Sequence, residues 1–121
     1  MKRLIISLKT SDQILADFKH AFHSAKKNKK STPHYEISFD SKRDFDHFVK
    51  NIYVLKYILS FKPQSVYELS KIIKVDVSNL NKVILFFEEI GAVKIKTTKI
   101  SGREVKTPIV PYDTIEFNLA A

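Results

Sequence analysis

The chain has 121 residues, of which 44% are hydrophobic and 28% charged, the composition of a globular domain rather than of a disordered chain. It has no cysteine, which excludes disulfides and thiolate chemistry, and its two glycines, at 91 and 102, exclude the glycine-rich phosphate loops of common nucleotide enzymes. With 21 Lys and Arg against 13 Asp and Glu the net charge is +8, a balance expected of proteins that bind polyanions.

The first 40 residues predict a strand, a helix and a second strand. Residues 3–8 and 35–39 alternate between apolar and polar positions, as do residues 114–119 near the C-terminus. Thr10 and Gln13 have the spacing of a capping box, and apolar residues follow at helical spacing to about residue 27. We therefore expect a small sheet with a helical cover, whose strands pair either within one chain or between two chains.

The next segment predicts two helices separated by a proline-containing turn. Ser41 is placed to cap a helix, and an apolar stripe at helical spacing continues toward Phe61. The sequence Lys-Pro-Gln at residues 62–64 breaks this stripe. Ser65 and Glu68 then form a second capping box, which predicts a short helix of about two turns.

A longer helix and a two-stranded ribbon complete this region. Asp76 is the expected N-cap of the longer helix, and Gly91 is suited to end it. Residues 92–100 and 104–110 are predicted strands, joined by a turn at residues 101–103.

A helix, a turn, a short helix, a longer helix and a ribbon follow one another in the order of a winged helix-turn-helix. That fold presents its longer helix to the DNA major groove and its ribbon to the adjacent backbone or minor groove. The predicted fold class is therefore α+β, with a strand-helix-strand extension at 1–40 and a winged helix-turn-helix at 41–110. Residues 111–121 are expected to form a C-terminal strand that packs with the extension or with a dimer mate.

The candidate DNA-binding residues lie at or near the start of the short helix and of the longer helix, or in the ribbon that follows the longer helix. Polar side chains at a helix N-terminus reach phosphates and base edges, and asparagine suits adenine. Residues 92–106 carry five cations and one acid, half of the net positive charge of the chain. The alternative is that these cations only protect the ribbon edges from aggregation. The predicted site consists of Ser65, Ser78, Asn79, Asn81, Lys82, Lys94, Lys96, Lys99, Arg103 and Lys106.

Four segments carry a resemblance to a known family. Residues 63–70 (PQSVYELS), 75–82 (VDVSNLNK) and 87–93 (FEEIGAV) resemble the second helix, the recognition helix and the helix exit of MarR-like and ArsR-like winged-helix regulators. Residues 108–117 (PIVPYDTIEF) resemble the ending of a prokaryotic group of MarR-like DNA-binding regulators and antitoxins. That group also has the N-terminal strand and helix, so the likeness covers nearly the whole chain.

The resemblance implies a role in DNA binding for Ser78, Asn79 and Lys82. Lys82 stands where the family commonly has arginine, which keeps the charge but loses the planar fork of the guanidinium group. The resemblance also implies autoregulation and, in some members, binding of a toxin encoded by a neighbouring gene.

We therefore expect a sequence-specific double-stranded DNA-binding transcriptional regulator that represses by occupancy. A homodimer is expected because two recognition helices related by a two-fold axis match a palindromic operator. The alternative is an antitoxin-type module that binds and neutralises a partner toxin, with DNA binding secondary. No enzyme activity and no cofactor are expected, because no serine lies in a nucleophile motif or beside a base. Without a secretory signal or a membrane-spanning segment, the expected location is the cytoplasm.

Three further signals have simpler interpretations. His20 and His23 share a helix face, but without a third ligand a metal site is not predicted. The lysines at 26–30 are typical of a solvated helix end, with DNA contact as the alternative. Aromatic residues of the terminal segments are typical of a core, with a ligand pocket as the alternative.

Overall fold

The computed structural model describes residues 2–9 and 34–120. For His34 it describes the backbone only. The protein is a mixed α+β chain. The predicted helix at 10–27, its capping box, both helix histidines and the lysine cluster at 26–30 lie outside the described residues. In chain order, the described elements are β1 (Arg3–Leu8), β2 (His34–Phe39), α1 (Lys42–Lys50), α2 (Ile52–Phe61), α3 (Val66–Ile73), α4 (Val77–Ile90), β3 (Lys94–Ile100), β4 (Arg103–Ile109) and β5 (Thr114–Phe117).

The chain divides into two compact units. The first, called the sheet unit, combines Met1–His47 with Tyr112–Ala121, and the second, called the helical unit, is Phe48–Pro111. None of the helices in the described part of the chain is long and apolar enough to cross a membrane.

The sheet unit contains a three-stranded parallel sheet. β1 lies between β2 and β5, and all three strands belong to one chain. Ile6 is opposite Ile37 on one side and Phe117 on the other, so the apolar positions of the three strands share one face. The predicted alternation is therefore confirmed for residues 3–8, 35–39 and 114–117, whereas its extension to residue 119 is wrong, because Leu119 lies beyond β5 and is 90% exposed. On the opposite face, Arg3 and Glu116 form an ion pair with 3.1 Å between Nη1 and Oε1.

Aromatic rings contact one another on the apolar face of this sheet. Phe45 of α1 meets Phe39 and Phe117 edge to face, with 6.1 Å between ring centroids in each pair. Tyr35 and Tyr112 stack with their ring centroids 6.0 Å apart. Burial of the Tyr112 phenol, together with the nearby Tyr35, raises the pKa of Tyr112.

The helical unit has its own hydrophobic core. At its centre Phe48 and Phe87 are both fully buried and meet edge to face, with 5.7 Å between ring centroids. The core residues of this unit are Phe48, Val54, Leu55, Ile58, Leu69, Leu80, Ile84, Phe87, Ala92 and Val93.

The apolar stripe that leads toward Phe61 belongs to two helices rather than to one. Asn51 separates α1 from α2 and has φ −107° and ψ 10°, away from the values of a regular helix. Ser41 directly precedes α1: its carbonyl oxygen accepts a hydrogen bond from Phe45 N, and its Oγ accepts one from Asp44 N at 3.3 Å. α2 ends at Phe61, its C-cap Lys62 is in the left-handed conformation, and Pro63 follows as predicted.

The ribbon is shorter than predicted at its start and its turn is tighter. Ser101 and Gly102 alone join β3 to β4, with φ of 53° and 79°, the two positive values of a type I′ hairpin turn. The predicted start of the first strand at residue 92 is wrong, because Ala92 N and Val93 N both donate to Phe87 O at the end of α4. These two amides close the helix and are not part of the strand ladder.

Replacing Phe87 by alanine tests the core of the helical unit. Phe87→Ala is expected to lower the free energy of unfolding by about 3–5 kcal/mol, because it removes a fully buried ring and leaves a cavity. Phe61→Ala is the matched control, because Phe61 is 52% exposed and its loss is expected to cost below about 1 kcal/mol. Urea unfolding measures both values, and equal losses would contradict the assigned core.

Candidate nucleic-acid interface

Local hydrogen bonds fix where α4 begins and ends. Asp76 Oδ2 accepts a hydrogen bond from Asn79 N at 3.0 Å, so the predicted N-cap is confirmed. Gly91 ends the helix in the left-handed conformation with φ 90°, as its position in the sequence predicts. These two ends define a helix of 14 residues, Val77–Ile90.

One side of α4 is buried and the other is exposed. Leu80, Ile84 and Phe87 are 2%, 2% and 0% exposed, at the spacing of one helix face. The polar residues predicted to contact DNA are on the other side, and all four are exposed: Ser78, Asn79, Asn81 and Lys82. Val77 is 40% exposed at the first turn of the helix.

The preceding helix, α3, begins with a serine cap. Ser65 Oγ accepts a hydrogen bond from Glu68 N at 3.0 Å, which confirms the predicted N-cap. This bond uses an acceptor lone pair of Ser65 and leaves its hydroxyl hydrogen available as a donor. α3 ends at Ile73, and its C-cap Lys74 is in the left-handed conformation, two residues before Asp76, the N-cap of α4.

A groove of about 570 Å³ separates α4 from the ribbon, and all of it lies within the helical unit. It brings together three of the ten predicted site residues, Ser65, Asn81 and Lys106. Its lining is mixed, with polar, apolar and acidic side chains. The lining residues are Ser65, Val66, Asn81, Ile84, Leu85, Glu88, Ile95, Thr97, Glu104, Val105 and Lys106.

The strand register distributes the ribbon cations over two faces. Lys106 is opposite Thr97 and Lys99 is opposite Glu104, so these four residues share one face. Thr97, Glu104 and Lys106 of this face line the groove. The remaining cations of the ribbon, Lys94, Lys96 and Arg103, are on the opposite face and do not line the groove.

The helical unit carries most of the net charge of the chain. It has eleven Lys and Arg against five Asp and Glu, a net charge of +6 out of +8. None of these eleven cations forms an ion pair with a carboxylate of the described residues. No ion pair within the described part of the chain therefore offsets their charge, which can attract an anionic partner.

Sequence reasoning missed eight of the eleven residues that line the groove, and two of these eight are exposed side chains of α4. Leu85, which is 52% exposed, and Glu88 line it together with Asn81. Their positions are four and seven residues after Asn81, which places all three on one strip of the helix. That spacing is readable in the sequence, but only the groove shows that the strip is exposed beside the ribbon.

The sequence raised two other candidate sites, a metal site and a ligand pocket lined by aromatic residues. Among residues 2–9 and 34–120, no cluster of three or more His, Asp or Glu side chains could hold a metal ion. The rings of Tyr35 and Tyr112 contact each other, as do those of Phe39, Phe45 and Phe117.

The HVO_A0114 family matches residues 49–117, which is more than half of the chain. The chain therefore belongs to the HVO_A0114 family, a name that states no activity. No curated protein and no solved structure matches the chain.

Proposed function

We propose that the helical unit acts as a winged helix-turn-helix that binds double-stranded DNA as a MarR-like transcriptional regulator. In this proposal α3 supports α4, α4 is the recognition helix, and β3 and β4 form the wing. The observation that carries the proposal is the groove in which exposed Asn81 of α4 and Lys106 of the ribbon lie together, within a unit of net charge +6.

The proposed mechanism separates affinity from discrimination. Exposed lysines of α4 and the ribbon neutralise phosphates, which supplies sequence-independent affinity and sets the position of the protein on the duplex. Ser78, Asn79 and Asn81 then reach base edges in the major groove. Occupancy of an operator represses transcription, and an operator upstream of its own gene makes the protein autoregulatory.

A salt titration of DNA binding tests this function. The duplex upstream of the protein's own gene is expected to bind at least about a thousandfold more tightly than a scrambled duplex. With four to six phosphates contacted, log affinity falls against log salt with a slope of about −0.9 per contact. Lys106→Ala is expected to weaken the binding of both duplexes alike and to make the salt slope shallower. Asn79→Ala is expected to reduce the ratio of the two affinities. Equal, salt-independent binding of both duplexes would refute the proposal.

Two neighbouring glutamates supply a matched control for the position of the DNA. Glu88 and Glu89 are both exposed on α4, but only Glu88 lines the groove. Glu88→Gln is expected to tighten binding about fivefold at low salt, because it removes a negative charge that repels the approaching DNA. Glu89→Gln is expected to change affinity less than about twofold. The reverse order would place the DNA on another side of α4.

We further propose that the regulator is a homodimer, with the sheet unit as its interface. β2 and β5 are the edge strands of the described sheet, and within residues 2–9 and 34–120 no further strand pairs with their outer edges, where a second copy could add its own strand. Light scattering at micromolar concentration is expected to give twice the 14.0 kDa of one chain. A monomer mass under those conditions would remove the dimer from the proposal.

A second candidate function is binding of a partner protein, in the manner of an antitoxin. One observation favours it: Tyr53, Tyr57 and Phe61 form a row of contacting rings on α2 and are 42%, 37% and 52% exposed. Exposed aromatic side chains are enriched at protein interfaces, and Lys56 beside them suits an acidic partner.

Coexpression with the product of the neighbouring gene tests this second candidate. A stable complex is expected, and Tyr57→Ala is expected to weaken it at least tenfold while DNA binding is unchanged. Leu119→Ala is the control, because Leu119 is 90% exposed and belongs to the other unit. Calorimetry measures both affinities, and equal losses would argue against the aromatic row as the interface.

A further inference from the structure

An exposed leucine lies between polar side chains on the groove side of α4. Leu85 is 52% exposed, although the core of the same helix buries Ile84 next to it. It is one helical turn after Asn81 and both residues line the groove. An apolar side chain makes no favourable electrostatic interaction with phosphates. If this side of α4 faces DNA, Leu85 must therefore contact some other group of the duplex.

The major groove of DNA offers an apolar group to such a side chain. Thymine alone among the four bases presents a methyl group there, and adenine presents a donor and an acceptor that pair with asparagine. Asn81 and Leu85 are about 6 Å apart along the helix axis, less than two base-pair steps of about 3.4 Å. One α-helix can therefore contact an adenine and a neighbouring thymine with these two residues.

Two acids keep phosphates away from this part of the groove. Glu88 follows Leu85 by one turn, and Glu104 lies on the ribbon face that lines the groove. A phosphate placed between these two carboxylates would be repelled, whereas the uncharged edge of a base would not. Lys106 also lines the groove and can attract a phosphate, so it is the space between Glu88 and Glu104 that favours base contacts over backbone contacts.

We propose that Leu85 is a specificity-determining residue that reads the methyl group of thymine beside an adenine bound by Asn81. α4 thereby selects A·T base pairs through the major groove. The inference rests on the proposed function, since it requires that the groove side of α4 faces DNA.

Four alternating duplexes of 20 base pairs test the inference in fluorescence-anisotropy titrations with the full chain. They contain A·T, A·U, I·C or G·C pairs. The A·U duplex differs from A·T in the major groove only by the missing methyl groups. The I·C duplex, in which hypoxanthine replaces guanine, keeps the major-groove groups of G·C but lacks the amino group of the minor groove.

The A·T duplex is expected to bind most tightly, and A·U more weakly by about fourfold for each methyl group contacted. I·C is expected to bind as G·C does, because the proposed reading takes place in the major groove. Leu85→Ala is expected to bind A·T and A·U equally. Leu59→Ala, which changes a leucine that is 40% exposed on α2, is expected to keep the difference.

The outcomes separate this inference from the proposed function. Equal binding of all four duplexes with a steep salt dependence leaves DNA binding intact and overturns the reading of thymine. Equal binding of A·T and I·C assigns the selectivity to the minor groove and overturns it as well. Absence of binding to every duplex, the upstream DNA included, refutes both. The A·U comparison needs no variant, so it holds even if Leu85→Ala alters the fold.

Discussion

The one-sided burial of α4 is the interaction on which the candidate site depends. Leu80, Ile84 and Phe87 fix one face of the helix in the core of the helical unit, and each such side chain contributes about 1.5–3 kcal/mol when fully buried. Because the burial fixes the rotation of the helix, it also determines which residues face the groove. Asn81 and Leu85 are exposed because each directly follows a residue, Leu80 or Ile84, whose side chain is turned into the core.

The end of α4 also fixes where the ribbon begins. Ala92 N and Val93 N donate to Phe87 O, and β3 begins directly afterwards at Lys94. A connection this short leaves the ribbon little freedom to move away from the helix. Thr107 Oγ1 donates to Gln64 O at 2.6 Å, which ties the returning strand to the turn before α3. Both strands of the ribbon are thus attached to the helical side of the groove, β3 at the end of α4 and β4 at the turn before α3.

Local signals in the sequence were sufficient to predict where the helices end and which face of each sheet strand is apolar. Ser65, Asp76 and Gly91 act through hydrogen bonds or backbone angles of their immediate neighbours, so single residues reveal them. The order and parallel direction of the sheet strands were not predictable, because alternation specifies a face but no neighbour. The division of ribbon cations between two faces also required the register, which the two-residue turn at Ser101 sets.

Net charge alone therefore says little about how such a surface would discriminate among its ligands. Of the ribbon cations, Lys106 lines the groove, whereas Lys94 and Lys96 are on the opposite face. The groove itself includes Glu88 and Glu104, which would oppose a site built only for phosphates. In the proposed function, cations around the groove hold the backbone while its acidic and apolar interior receives base edges. Affinity and selectivity would then arise from different residues, and a change in one need not alter the other.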